Sequence, residues 1–272
     1  AKLKHNSRMT GAADKSRTSG ESVFEQPLTE RLRIFLRLDF LYSQAVHHNQ
    51  TGSAMGTRAA VASLLDIIAV TQRGDVRADV LKELERNLGV LNEYQNRPGI
   101  DLTKLRGVIS NLVRLRDDLA NVSSNWLQPL RESEFLAAIK HRSAIPGGTC
   151  EFDLPDYSFW LSEPDESRMA TFANWLGMVR PLCDAIAELL WLIRQNGRSR
   201  SEVAHGGVFN VNFDRETPLQ LLRIKLPAGS GLYPEVSGTH YRCSMRFMEW
   251  RNVDQRPRQT DTDVPFTLIC CS

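Results

Sequence analysis

The chain has 272 residues, 42 % of them hydrophobic, with 34 Lys and Arg against 32 Asp and Glu, a formal net charge of +2. That length and apolar content suffice for one large core or two modest ones, and exclude both a disulfide-held mini-scaffold and a chain too polar to fold. The near-neutral total excludes recognition by overall charge, so any electrostatic role has to come from where the charges are placed.

Residues 1–22 are polar, rich in Ser, Thr, Lys and Gly, and are expected as a disordered extension because they cannot bury enough apolar surface. From Phe24 to Tyr42, FEQPLTERLRIFLRLDFLY combines an extended run ended by Pro27 with a helix start that Thr29 or Gln26 can cap. Leu28, Leu32, Phe35, Leu36 and Phe40 recur at helical spacing, and Arg33 and Arg37 lie one turn apart on a second face. Residues 54–71 place Ala54, Val61, Leu64, Leu65 and Ile68 on one side of a helix. The next segment does so with Val76, Val80, Leu84, Leu88 and Leu91, and Gly74 marks the joint. Pro98-Gly99 ends that segment, and Asp101 caps another helix carrying Leu102, Leu105, Ile109, Leu112 and Leu119. A shorter helix around Phe135, Leu136 and Ile139 is closed by Ile145-Pro146-Gly147-Gly148. Residues 23–142 are thus predicted as a mainly helical domain of bundle type.

Beyond it, Cys150–Leu154 and Tyr157–Leu161 read as strands, which puts residues 143–163 in a β-rich domain. Pro164 and Pro181 each suit the first position of a helix, giving two helices over 164–200 that pack with the helical domain. Gly197-Arg198-Ser199-Arg200-Ser201 breaks the second. Strand-like runs near 207–213, 219–226, 236–248 and 264–271 then build the β-rich domain of residues 201–272. The fold class is α+β: a helical bundle domain plus an antiparallel β-rich domain, with the chain crossing between them.

Catalytic motifs do not emerge. Gly147-Gly148 and Gly206-Gly207 belong to neither GxxxxGK[ST] nor GxGxxG, Ser143, Ser158 and Ser244 lack a GxSxG elbow, and His47-His48 lacks HExxH spacing. Asp117-Asp118 and Glu83 with Glu85 diverge on their helices instead of converging on one atom. The five cysteines form no CxxC step, so reduced thiols are expected, with Cys270 and Cys271 on opposite faces of a final strand. The expectation is a protein without catalytic activity, cofactor or metal. With no run of eighteen apolar residues and no charged leader ahead of an apolar stretch, it is expected to be cytoplasmic and free of membrane.

The remaining signal is basic. Between Gly238 and Arg258, Arg242, Arg246, Arg251, Arg256 and Arg258 outnumber Glu249 and Asp254, and Arg242 and Arg246 share one face of a strand. Arg73 and Arg77 flank Gly74 and share a helix face if the turn continues. Solvated faces with local salt bridges account for any one such pair. Rows of arginine also suit phosphates, so a nucleic-acid-binding module is the rival reading. The near-neutral total and the lack of an RRM, KH or zinc-finger signature weigh against it.

Five segments keep a definite order: FEQPLTERLRIFLRLDFLY, QRGDVRADVLKELER from Gln72, RPGID from Arg97, RSAIPGGTCEFDLP from Arg142 and LYPEVSGTHYRCSMRFM from Leu232. With the terminal Cys270-Cys271, they make residues 24–271 resemble the ZapD family, Z-ring-associated division proteins that bind the tubulin-like protein FtsZ. The resemblance implies a non-enzymatic homodimer at the mid-cell division site. It would bind the flexible FtsZ C-terminal tail, which carries acidic and apolar residues, and crosslink filaments. It also implies that Arg33, Arg37, Arg73, Arg77, Arg242 and Arg246 contribute to the tail-binding surface. Ser158 stands where some relatives have histidine, and Glu134 where a basic residue can occur.

Overall fold

A computed structural model describes residues 20–95, 97–123, 125–214, 219–239 and 241–272. The chain forms two compact units, one from residues up to Ile34 together with Leu190–Ser272, the other from Phe35–Leu189. Two long helices, α1 (Glu30–Gln50) and α8 (Asp165–Gln195), carry the chain from one unit to the other, and the class is α+β as expected.

Besides parts of α1 and α8, the helical unit contains α2 (Ala54–Thr71), α3 (Val76–Tyr94), α4 (Leu102–Ala120), α5 (Gln128–Arg131), α6 (Glu134–Ser143) and α7 (Pro155–Ser162). Side-chain caps set several starts. Ser53 accepts from the Gly56 amide, Asp75 from Ala78, Asp101 from Thr103 and Lys104, and Ser133 from Leu136, each worth about 1 kcal/mol. Apolar stripes at helical spacing then close the core: Val61, Leu64 and Ile68 on α2, Val80 and Leu84 on α3, Leu112 and Leu119 on α4. Phe40, expected on the oily face of α1, points to solvent at 63 % exposure, while Leu38 and Ala45 are fully buried. Among the described residues α2 alone is long and apolar enough to cross a bilayer by length and composition, but 56 % of it is buried. Its Arg58 donates to the Thr149 carbonyl at 2.8 Å and lies 4.9 Å above the Tyr157 ring.

Three expectations are corrected here. Cys150–Leu154 is a run of turns and Tyr157–Leu161 lies in α7, so residues 143–163 hold no strand. Leu154, Tyr157 and Leu161 are buried at helical spacing around Pro155, a helix-starting signal that outweighs the aromatic content of the segment. Trp160 stacks on Tyr157 and meets Phe135 and Trp175, tying α7 to α6 and α8. Next, Pro181 does not begin a helix but sits inside the continuous α8. Its missing N–H and ring cost about 3 kcal/mol in a helix interior. The fully buried stripe of Phe172, Val179, Leu182, Ile186 and Leu189 offsets that, each side chain contributing about 1.5–3 kcal/mol. Finally, Arg198–Ser201, expected only to break the helix, opens strand β2.

The β unit is a two-sheet sandwich. Its strands are β1 (Glu21–Pro27), β2 (Arg198–Ala204), β3 (Val208–Asn212), β4 (Leu221–Pro227), β5 (Leu232–Gly238), β6 (Arg242–Glu249), β7 (Arg258–Gln259) and β8 (Val264–Cys271). One antiparallel sheet has the order β1-β4-β8-β2, the other β3-β6-β5 with β7 beside β6. The run expected as one strand over 236–248 is thus the β5–β6 hairpin. Glu21 and Ser22, expected within a disordered extension, are paired in β1 with Pro227 and Leu226, whereas residues 1–19 lie outside the described ones. Leu222, Ile224 and Leu226 of β4, Phe266 and Leu268 of β8, and Cys243, Met245 and Phe247 of β6 fill the space between the sheets. On the other face of the first sheet Leu221, Ile269 and Cys271 are also buried, and Glu25 accepts from both Arg194 and Arg223. Gly206 and Gly207, both at positive φ, make the corner between β2 and β3.

Candidate functional site

Alternation along β6 builds the site. Cys243, Met245 and Phe247 are committed to the core, so Arg242, Ser244, Arg246 and Met248 face outward, and both arginines are exposed on one face as the two-residue period requires. The β5 register sets Glu235 opposite Arg246 and Tyr233 opposite Met248, while β7 sets Gln259 against Met248. Glu235 pairs with Arg246 at 3.1 Å. The Arg242 guanidinium, unlike the residue's backbone carbonyl, which accepts from the Thr239 amide at 2.8 Å, has no hydrogen bond or ion pair among the described residues.

Two shallow depressions open beside this row. The first, about 450 Å³, is lined by Tyr233, Glu235, Arg246, Met248, Arg256, Pro257 and Gln259. The second, about 350 Å³, is lined by Glu249, Arg251, Gln255, Arg256 and Arg258, so Arg256 belongs to both. Guanidiniums stand around a floor of Tyr233 and Met248, an arrangement that can pair bidentately with carboxylates while covering an apolar side chain. Glu249 accepts from Thr260 and Arg251, which holds its carboxyl below the usual range, so it stays ionised and offsets part of the positive charge.

The other predicted residues are disposed differently. Arg33 and Arg37 share one face of α1; Arg33 lies 3.7 Å from Glu30, and Arg37 is exposed without a partner among the described residues. Arg73 is exposed in the turn between α2 and α3. It does not share a helix face with Arg77, because α2 ends at Thr71 and α3 begins at Val76. Arg77 is occupied structurally: its guanidinium donates to the carbonyls of Leu119, Ala120 and Val122 at 3.1, 2.9 and 2.9 Å, closing the C-terminal end of α4.

Tyr233, Met248 and Gln259 escape sequence reasoning. They join the site through cross-strand register, and register depends on the hairpin between β5 and β6. Arg251, Arg256 and Arg258 are visible as a basic cluster, but only the fold places Arg256 between two depressions. The cysteines contribute packing. Burial pushes Cys243 and Cys271 up to about 11 and Cys183 well above its usual value, keeping these thiols protonated at neutral pH. Among the described residues no three of His, Cys, Asp and Glu gather as a metal site.

Comparison with known proteins gives one consistent result. A sequence model described as "ZapD: Cell division protein" matches residues 36–246. The chain is 39 % identical over 249 residues to "Cell division protein ZapD" of Methylococcus capsulatus, covering 92 % of this chain and 97 % of that protein. It is 36 % identical over 248 residues to the protein of the same name from Chromobacterium violaceum, covering 91 % and 98 %. The corresponding protein of Azoarcus sp. is 32 % identical over 249 residues, covering 92 % and 98 %.

Proposed function

Because the chain belongs to the ZapD family of cell division proteins, we propose that it is a non-enzymatic division factor that captures the C-terminal tail of FtsZ and joins neighbouring filaments at the division site. The observation that carries this reading is the outward row of Arg242 and Arg246 on β6, continued by Arg256 around Tyr233 and Met248. An acidic and partly apolar tail matches it: carboxylates meet guanidinium forks, and an apolar side chain meets the tyrosine and methionine. Arg33, Arg37 and Arg73 are further contacts of the same chemistry, whereas Arg77 serves α4 first.

Ordering a free tail costs conformational entropy, so each site binds modestly and loses affinity as salt screens the exposed charges. Filaments display many tails, and a homodimer carrying two such sites converts weak contacts into lateral bundling through effective concentration. A fluorescent FtsZ tail peptide titrated at low and high salt tests the reading. Saturable binding that weakens with salt and is lost in the double variant Arg242→Glu, Arg246→Glu supports it. Unaltered binding by that variant contradicts it.

A further inference from the structure

The two depressions beside β6 share Arg256 but differ in chemistry. Tyr233, Met248 and Pro257 make the first partly apolar. The second, about 350 Å³, is lined by Glu249, Arg251, Gln255, Arg256 and Arg258, all of them polar. Three guanidiniums against one carboxylate leave it a surplus of two positive charges. Its size falls within the range of small-molecule sites, about 300–1,000 Å³.

Main-chain register fixes one part of this second depression, because the β6–β7 ladder sets Glu249 opposite Arg258. Glu249 is engaged from two sides: it lies 3.2 Å from Arg251 and accepts from the Thr260 hydroxyl, so its charge is committed and it steadies the Arg251 guanidinium. The loop of residues 250–257 is fastened at its start, where the Trp250 amide donates to the Gly231 carbonyl at 2.7 Å. Arg256 and Arg258 are exposed, and their guanidiniums have no hydrogen bond or ion pair among the described residues. Asp254, the acidic residue of the loop, does not line the depression. Guanidiniums gathered around one hollow repel one another, and a multiply charged anion between them replaces that repulsion with attraction. A carboxylate brings one charge and two oxygens. A phosphate monoester brings a charge of about −1.5 to −2 and three acceptor oxygens, which matches both the surplus and the number of guanidinium forks. The Gln255 amide adds a neutral donor.

We propose that the second depression binds a soluble phosphate compound, whose phosphate is held by Arg251, Arg256 and Arg258. Resting on the function proposed above, Arg256 couples the two depressions. A phosphate that engages this guanidinium withdraws it from the first depression, so the phosphate compound and the FtsZ tail compete. Arg251 and Arg258 line the second depression and not the first, and they therefore tell the two ligands apart.

The test titrates inorganic pyrophosphate into the full chain by calorimetry, with ionic strength held constant by potassium chloride. Saturable binding is expected, and Arg251→Ala with Arg258→Ala is expected to weaken it roughly tenfold while leaving the thermal midpoint unchanged, since both side chains are exposed. Saturating pyrophosphate should weaken the labelled FtsZ tail roughly threefold in the parent. In the double variant the tail should bind as in the parent, and pyrophosphate should no longer compete. Heat without saturation, or equal pyrophosphate binding by the double variant, overturns the site. Saturable binding that leaves tail affinity unchanged supports the site and overturns the coupling through Arg256. Failure of the tail to bind in the absence of pyrophosphate overturns tail capture, while the calorimetric comparison still decides the phosphate site. Vesicles containing phosphatidylglycerol form a second arm. Sedimentation with them that the double variant loses and pyrophosphate does not reverse assigns the arginines to a lipid surface and overturns the proposal.

Discussion

Glu235 lies directly across β5–β6 from Arg246, its carboxylate 3.1 Å from the guanidinium, whereas Arg242 on the same face of β6 has no such companion among the described residues. The two arginines of the row are therefore unequal. A ligand carboxylate can meet Arg242 directly but has to share or displace Glu235 at Arg246. Removing the internal competitor by Glu235→Gln is expected to tighten tail binding about threefold, the scale of an exposed ion pair. Titration of the labelled tail against both proteins measures it; weaker binding by the variant would make Glu235 part of the receptor instead of its competitor.

Charge reversal separates recognition from folding. Arg242→Glu replaces an exposed, unpaired side chain, so its thermal midpoint should match the parent within error while tail affinity falls about tenfold. Differential scanning calorimetry alongside binding reads both quantities. A lowered midpoint with unchanged affinity would move Arg242 from the binding surface to the framework.

Arg77 carries the opposite expectation. Its three bonds to the end of α4 predict that Arg77→Ala destabilises the protein by about 1–2 kcal/mol, with Arg77→Lys recovering little because an ammonium cannot reproduce the fork. Urea denaturation is the measurement. Full stability in the alanine variant would show that α4 closes without it.

Asp184 sets a pH dependence. Burial raises its pKa above the ordinary 3.8, against the lowering effect of Arg180 and Arg114 and with a further rise from Asp118. A carboxyl whose folded pKa exceeds its unfolded one favours the folded state most at pH values below the unfolded pKa. That advantage is lost as pH rises through the folded pKa. Asp184→Asn, which does not titrate, should therefore gain in stability relative to the parent as pH rises from the ordinary carboxyl value towards neutrality. Denaturation midpoints across that range check it, and a difference independent of pH contradicts the assignment.

The helical half was legible in the sequence because long amphipathic repeats, capped by Asp101 and punctuated by Gly74 and Pro98-Gly99, leave one answer. Legibility failed where local signals compete. Tyr157–Leu161 is aromatic enough to suggest a strand, yet its helical spacing of buried groups decides the matter. Pro181 reads as a start, yet long-range burial on both sides carries the helix through it. Arg198–Ser201 has the composition of a loop because an edge strand need not bury either face. At the site, the alternation of Arg242 and Arg246 was readable from β6 alone. Tyr233, Glu235 and Gln259 were not, since cross-strand neighbours depend on register. Arg73 and Arg77 looked like a pair only while the turn between α2 and α3 was unknown.

The central claim is that the tail of FtsZ is what this protein holds. Cosedimentation of the full chain with polymers of full-length FtsZ, and with polymers of FtsZ lacking its C-terminal tail, tests it most directly. The account predicts bundles and co-pelleting with the first and neither with the second; bundling that persists without the tail would contradict it.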